Sequence, residues 1–414
     1  MNGIIINIGE LVGVTEPDKR FAAGADMQNL NTIKNAYLHF KDGLISGFGS
    51  MAELGSVSEY QNVTDAKGQM VFPAFVDSHT HLVYAGSREI EYIDKIKGLS
   101  YEEIAKRGGG ILNSAKLLHE TSEDELFEQS LPRIYSILSM GTGTVEIKSG
   151  YGLTTEDELK MLRVIKRLND ETPILIKSTF LGAHAVPAEF KGKQSEYVKL
   201  IIDEMLPRVA EEGLADFVDV FCDKGFFTTD ETHDILNTAT KLGFKPKIHA
   251  NELDYSGGIE VGVAHNALSV DHLEYTGNAE IMALLKSDTM PTILPGAAFF
   301  LGMKYAPARK MIDAGLPIAI ASDFNPGSSP SGNMQLIASM GCILYKMLPE
   351  EVINAATINT AYAMDVADKV GSIALGKQAD FFIAKPMPSY SYLPYSYGDN
   401  KVDRMFIKGE LLHF

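Results

Sequence analysis

Residues 71–82 read VFPAFVDSHTHL, an apolar run that ends in Asp77, Ser78, His79, Thr80 and His81. Residues two apart on a strand point to the same side, so His79 and His81 are expected to offer two imidazoles to a single point. Such a run suits a strand of a parallel barrel, which places its chemistry at the carboxyl ends of its strands. Two histidines on an exposed loop would read the same way. Partners elsewhere in the chain must decide.

Working outward, short apolar runs rich in β-branched residues alternate with amphipathic helical stretches, the pattern of repeated β-α units on a parallel sheet. The runs are FPAFVDSHTH (72–81), GTVEIKS (143–149), ILIKSTFLGAH (174–184), DFVDVFCD (216–223), KPKIHANE (245–252), ALSVDHLE (267–274), MPTILPG (290–296) and PIAIASDFN (317–325). Between them TTEDELKMLRVIKRLND reads as a helix: Thr155 and Glu158 have capping-box spacing, and apolar residues recur at Leu159, Leu162, Ile165 and Leu168. These units predict a closed (β/α)8 barrel over residues 66–365. The flanks differ, with short alternating strands such as AYLHFKDGLISGFG, carrying a Lys41-Asp42-Gly43 turn, and SIALGKQADFFIAK and VDRMFIKGELLHF in the tail. Neither end is large enough to fold alone. Residues 1–65 and 366–414 are expected to combine into one small β-sandwich, with the Pro/Tyr/Ser-rich stretch 386–399 as a loop.

Composition narrows the function. The chain has 414 residues, 45% hydrophobic and 22% charged, which is ordinary for a globular protein, and a net charge of −17 argues against unspecific attraction to nucleic acid or anionic membrane. The start, MNGIIINIGELVG, lacks a basic n-region, and no stretch approaches the ~18 apolar residues of a membrane span. A cytoplasmic protein is expected. Cys222 and Cys342 sit in apolar stretches and read as buried thiols, which leaves a zinc-thiolate site unsupported.

The remaining candidate ligands fall at the ends of predicted barrel strands: His249 on the fifth, His272 on the sixth and Asp323 on the eighth. Clustered histidines and carboxylates at such ends read as a metal or catalytic site. By contrast His39, His119, His233, His265 and His413 lie in predicted helices or edge segments and read as solvent-facing or satisfied. The glycine-rich runs 108–110 and 327–332 lack a phosphate-loop lysine and read as active-site loops.

In this order, PAFVDSHTH, IHANE, VDHLE, IASDFNPGS and GKQADFFIAK resemble the amidohydrolase superfamily across nearly the whole chain. The stretches GSREIEYIDKIKGLSYEEIAKRGGGI, EIKSGYGL, FLGAHAVP and SDFNPGSSPSGNM resemble, within it, the branch that opens the ring of 4-imidazolone-5-propanoate to N-formimidoyl-L-glutamate in histidine degradation. Ala74 stands where the superfamily often has glycine, several residues ahead of the histidines. The resemblance implies one metal, zinc or iron, held by His79, His81, His249 and Asp323, with a position left for water whose pKa it lowers from about 15.7 towards 7. A two-metal site would need a bridging group such as a carboxylated lysine, for which Lys177 and Lys224 are nearest by strand position.

The same resemblance implies a division of labour. Glu252, three residues beyond His249, would contact the substrate and shuttle a proton to its leaving nitrogen, and His272 would orient the attacking water or Asp323. Asp323 would accept the water proton, and His184 would help stabilise the oxyanion. Arg88 would pair with the propionate through two hydrogen bonds. Tyr101, Tyr151 and His184 would surround the ring, with Asn325, Gly327 and Ser328 against ring or product. The rival is an aminohydrolase that releases ammonia from a heterocycle and has less need of Arg88. A metal-binding barrel without catalysis is disfavoured because Glu252 and His272 accompany the ligands. The expected partner is a small molecule, with no nucleic acid and no membrane; a homodimer is compatible with the family.

Overall fold

The computed structural model describes residues 2–58, 60–99 and 109–414. Two sheets organise it. The first joins both ends of the chain: β1 (Asn2–Val12), β2 (Thr32–Lys41), β3 (Leu44–Ser50), β4 (Asn62–Asp65) and β5 (Met70–Pro73) from the front, with β14 (Phe381–Ala384), β15 (Val402–Ile407) and β16 (Glu410–Leu411) from the tail. The strand order is β16-β15-β14-β5-β1-β2-β3, with β4 also paired to β1. The hairpin β2–β3 turns through Asp42 (φ 52) and Gly43 (φ 81), and β15–β16 through Lys408 (φ 49) and Gly409 (φ 75). Two left-handed residues in succession are what a tight, right-twisted hairpin requires.

This sheet folds over itself. In a flat sheet β2 and β14, three steps apart, would be separated by ~14 Å, yet the Phe40 and Phe381 ring centroids are 5.9 Å apart. They enclose an apolar core that includes Ile5, Leu38, Val71 and Phe406.

The second sheet is the barrel: β6 (Phe75–Asp77), β7 (Thr142–Lys148), β8 (Leu175–Ala183), β9 (Phe217–Cys222), β10 (Lys245–Ala250), β11 (Ser269–His272), β12 (Met290–Ile293) and β13 (Ala319–Ile320), parallel and in sequence order. Each of the eight expected runs supplies one of these strands. The ring closes between β6 and β13. There Asp323 N–H donates to the His79 carbonyl and His81 N–H to the Phe324 carbonyl, both at 2.9 Å. The buried Asp77 carboxylate accepts from Ser322 N–H (3.0 Å) and Oγ (2.5 Å).

One expectation is corrected at the decisive stretch. Residues 72–81 are not a single strand: β5 belongs to the sheet of the termini, and only β6 enters the barrel. Pro73 has no N–H to continue a ladder. The next amides then change partner, Ala74 N–H going to Asp380 O (3.0 Å) and Phe75 N–H to Gly141 O (2.9 Å). His79 and His81 follow β6, flanking the Thr80–Phe324 bridge that joins them to the last strand.

A second correction concerns the helix Thr155–Glu171. Its cap is Thr154, whose side chain accepts from Asp157 N–H at 3.2 Å. Thr154 is already extended (φ −123, ψ 158), so the helix begins one residue earlier than a box at Thr155 and Glu158 requires. Glu158 is buried instead beneath the loop after β7, where its carboxylate accepts from Gly150, Gly152 and Leu153 N–H at 3.1, 2.7 and 2.9 Å.

The thiol of Cys222 is buried and that of Cys342 half-buried; both are free. Burial pushes each up to about 11. Among the described residues no helix is long and apolar enough to cross a membrane.

Candidate active site

The carboxyl ends of β6, β10 and β13 bring four donors to one point. The ring nitrogens of His79, His81 and His249 lie within 4.8 Å of one another. His249 Nε2 is 3.4 Å from His81 Nε2, and Asp323 Oδ1 is 3.6 and 3.7 Å from His79 Nε2 and His81 Nε2. Donors ~2.0–2.2 Å from a tetrahedral ion stand roughly 3.3–3.6 Å apart, so the spacing fits a metal. His79 Nε2 is buried with no hydrogen-bond partner, and burial holds His79 and His81 well below the usual histidine pKa. Neutral imidazole is the ligating form. Burial likewise raises Asp323 to about 7, against the pull of His249.

Below these donors lies a charged layer that the sequence reading did not identify. His79 Nδ1 donates to Asp271 Oδ2 at 2.6 Å, which turns Nε2 towards Asp323. His249 Nδ1 stands 2.9 Å from Asp219 Oδ2, whose other oxygen accepts from His249 N–H at 3.0 Å. Lys148 ties the two acids together, 2.8 Å from Asp219 and 4.0 Å from Asp271, and bonds Glu146 at 2.5 Å. Lys247 pairs with Glu146 and donates to Ser78 O at 2.9 Å. All five are buried inside the barrel. Despite that burial the surrounding carboxylates push the Lys148 pKa upward, holding it charged. The signal was present in TVEIK, FVDVF and KPKIH: charged residues recur at alternate positions of strands whose other face is apolar, hence on the barrel's inside.

A cleft of about 350 Å³ opens above the donors, within the range of small-molecule sites. Arg88, His184, Glu252, His272, Asn325, Gly327 and Ser328 all line it, together with His81, His249 and Asp323. Tyr151 is buried behind this wall, its ring 5.8 Å from His81 and 5.5 Å from His184. Tyr101 lies outside the described residues. Lys177 and Lys224 pair with Asp216 (2.6 Å) and Asp254 (2.8 Å), and neither lines the cleft. They offer no bridge for a second metal.

Two expected roles change. His184 Nδ1 is 2.9 Å from the Gly150 carbonyl, which only accepts, so Nδ1 carries the hydrogen. Burial and His249 lower the ring to about 3, leaving it neutral with a bare Nε2. In that tautomer Nε2 accepts a hydrogen bond and cannot donate one to an oxyanion. The approach needs glycine at 150, where a Cβ would come within 2.8 Å of Nδ1.

Asn325 is likewise committed. Its Nδ2 donates to Asp323 O and Ser328 Oγ, both at 2.7 Å, and its Oδ1 accepts from Gly327 and Ser328 N–H, both at 2.8 Å. Ser328 Oγ in turn reaches Asp323 Oδ2 at 3.2 Å. These two side chains hold the Asp323 loop and leave Asn325 no free amide hydrogen for a ring.

Glu252 sits over the donors with its carboxyl raised to about 8, first by burial and then by Asp323 and Asp223. Asp223 fixes its backbone, accepting from Glu252 N–H (2.7 Å) and Leu253 N–H (2.9 Å). His272 Nδ1 lies 3.8 Å from Glu252 and 3.9 Å from Glu274, a buried acid also absent from the sequence reading. His272 and Leu273 hold successive left-handed conformations (φ 84 and 72), and Asp323 a third (φ 53). Strain of this kind, about 1–3 kcal/mol each, collects at functional sites.

A profile of the Amidohydrolase family matches residues 70–412. The imidazolonepropionase of Christiangramia forsetii is 52% identical over 412 residues, covering 100% of both chains, and that of Flavobacterium johnsoniae is 53% identical over 409, covering 99% of each. Among solved structures, E. coli guanine deaminase shares the fold at a TM-score of 0.77, with 13% identity over 100% of this chain and 99% of that one. Enzymes of the amidohydrolase family bind a metal ion, and a three-histidine cluster is present here. With more than half of all positions shared from end to end, the chain belongs to the amidohydrolase family and, within it, to the imidazolonepropionases.

Proposed function

We propose that the chain hydrolyses 4-imidazolone-5-propanoate to N-formimidoyl-L-glutamate, a ring-opening step of histidine degradation. One observation carries this reading beyond the family: the donor cluster and the Arg88 guanidinium open into the same cleft. A metal held by His79, His81, His249 and Asp323 would supply an activated water and polarise the ring carbonyl; three imidazoles and a carboxylate suit zinc or iron. Arg88 binds the propionate. The bare Nε2 of His184 accepts from a ring N–H and orients the ring. As the water attacks the carbonyl carbon, Asp323 takes up its proton. Glu252, protonated at neutral pH, donates to the ring nitrogen as the amide C–N bond breaks. The product gains a carboxylate and keeps both ring nitrogens.

The aminohydrolase reading draws on the fold shared with guanine deaminase, but a neutral nucleobase has no use for Arg88. Purified protein given freshly generated imidazolone propionate should abolish the ring's ultraviolet absorbance and yield formimidoylglutamate without stoichiometric ammonia. Persistent absorbance, with ammonia released from guanine, would transfer the assignment to deamination.

A further inference from the structure

The cleft holds two cations on one helix face. Arg88 precedes the helix Glu89–Ile96, and Lys95 lies two turns on; both line the cavity. Arg88 is not free to act alone. Its Nε and Nη2 both bond Glu91 Oε2, at 2.9 and 2.6 Å, and Glu91 Oε1 accepts from Gly110 N–H at 3.0 Å. The carboxylate of Glu91 is thereby locked against the guanidinium, and the pair carries no net charge.

An incoming carboxylate gives up its hydration on entering the cleft and needs an uncompensated positive charge in return. Lys95 is placed to supply one. Its Nζ is 3.5 Å from the Gly327 carbonyl, the far limit of a hydrogen bond, and 5.7 Å from the Phe300 ring centroid. Among the described residues no carboxylate lies within ion-pair distance of it. Gly327 is itself the floor beneath Arg88, where a Cβ would fall 2.0 Å from Nη1. Nη1 and Nζ thus both approach the one residue 327. Burial and the nearby guanidinium hold Lys95 below the usual lysine pKa against the opposing pull of Glu91, the one carboxylate that also holds Arg88.

Resting on the substrate reading above, we propose that Lys95 is a second anchor for the substrate's carboxylate, with Arg88 setting direction and Lys95 providing attraction. The alternative is a brace for the loop at Gly327, which would affect every ligand alike. Titration of metal-replete wild type, Lys95→Met and Lys95→Arg with imidazole-4-propionate and with its neutral amide separates the two. The Met variant should bind the acid about ten- to a hundredfold more weakly, while the amide changes by less than about twofold. Lys95→Arg should restore most of the loss. In turnover KM should rise while kcat holds.

An acid-to-amide ratio in Lys95→Met equal to that of wild type would overturn the proposal. So would equal loss of both ligands in Met and Arg variants. If wild type itself turns over imidazolone propionate, such a result removes Lys95 alone. If wild type neither turns it over nor prefers the acid, the substrate reading falls with it.

Discussion

The inside of the barrel and the inside of the terminal sheet are built on opposite terms. The sheet buries Ile5, Leu38, Phe381 and Phe406 against one another, with the Phe381 and Phe406 rings stacked at 4.7 Å. The barrel, directly beneath its histidines, buries Glu146, Lys148, Asp219, Lys247 and Asp271. Apolar burial stabilises at roughly 25 cal/mol per Å², whereas buried ion pairs often no more than offset their own desolvation. The barrel therefore gives up stability where the sheet gains it. In return, Asp271 and Asp219 fix the direction of His79 and His249, which outer partners of metal ligands commonly do, and Glu146 holds the two lysines beside them. The difference teaches where function resides in this chain: in the layer whose packing is least favourable.

The sharpest break of that contrast is at the donors. The double variant His79→Ala/His81→Ala should lose most bound metal and lower turnover by ~10³-fold or more, because the activated water has no other source. Metal analysis and turnover on the same preparation check it. Normal metal content with normal turnover would remove these residues from the site.

What was legible in the sequence follows the same division. Hydrophobic runs disclosed the eight barrel strands, and the Asp-Gly turn disclosed a hairpin, because both depend on neighbours in the chain. Strand ends are countable, which made His79, His81, His249, His272 and Asp323 legible as candidates; the choice of four among them came from the family resemblance. The split at Pro73 and Ala74 was not, since it depends on amides choosing Asp380 and Gly141 as partners. Nor was the His184 tautomer, set by a carbonyl 34 residues away. The loop-holding roles of Asn325 and Ser328 were missed because a polar residue beside a ligand reads as a substrate contact until its own hydrogen bonds are counted. Glu91 was missed for the same reason: an acid three residues after Arg88 resembles an ordinary helix pair.

A smaller effect is expected one step from the metal. Glu252→Gln keeps size and polarity but cannot give up a proton, so kcat should fall by ~10²-fold with metal content retained. The pH dependence sharpens the claim. Glu252 is raised to about 8 in the folded chain, above its unfolded value, so the stability it contributes is full below the ordinary carboxylate range and is lost as pH rises towards 8. Its proton-donating form disappears over the same approach, and wild-type kcat should decline on the alkaline side with an apparent pKa near that value. The Gln variant should lack this limb. A wild-type kcat in metal-replete Glu252→Gln, or an unchanged alkaline limb, would eliminate the role.

The smallest effect on turnover is expected in the other core. On β14 successive side chains face opposite ways. Phe382 stacks on Phe72 at 5.3 Å within the barrel's cluster, whereas Phe381 faces Phe40 and Phe406 inside the terminal sheet. Phe381→Ala removes a fully buried ring and should cost about 3–5 kcal/mol, read as a lower urea midpoint in the metal-replete protein. If the sheet only stabilises, kcat and KM per folded molecule should match wild type, since no donor of the site touches this cluster. Should Phe381→Ala instead lower kcat while metal content and the folded fraction are unchanged, the terminal sheet would be coupled to the chemistry. The partner exchange at Ala74, where one strand hands over to the other five residues before His79, would then be the place to look.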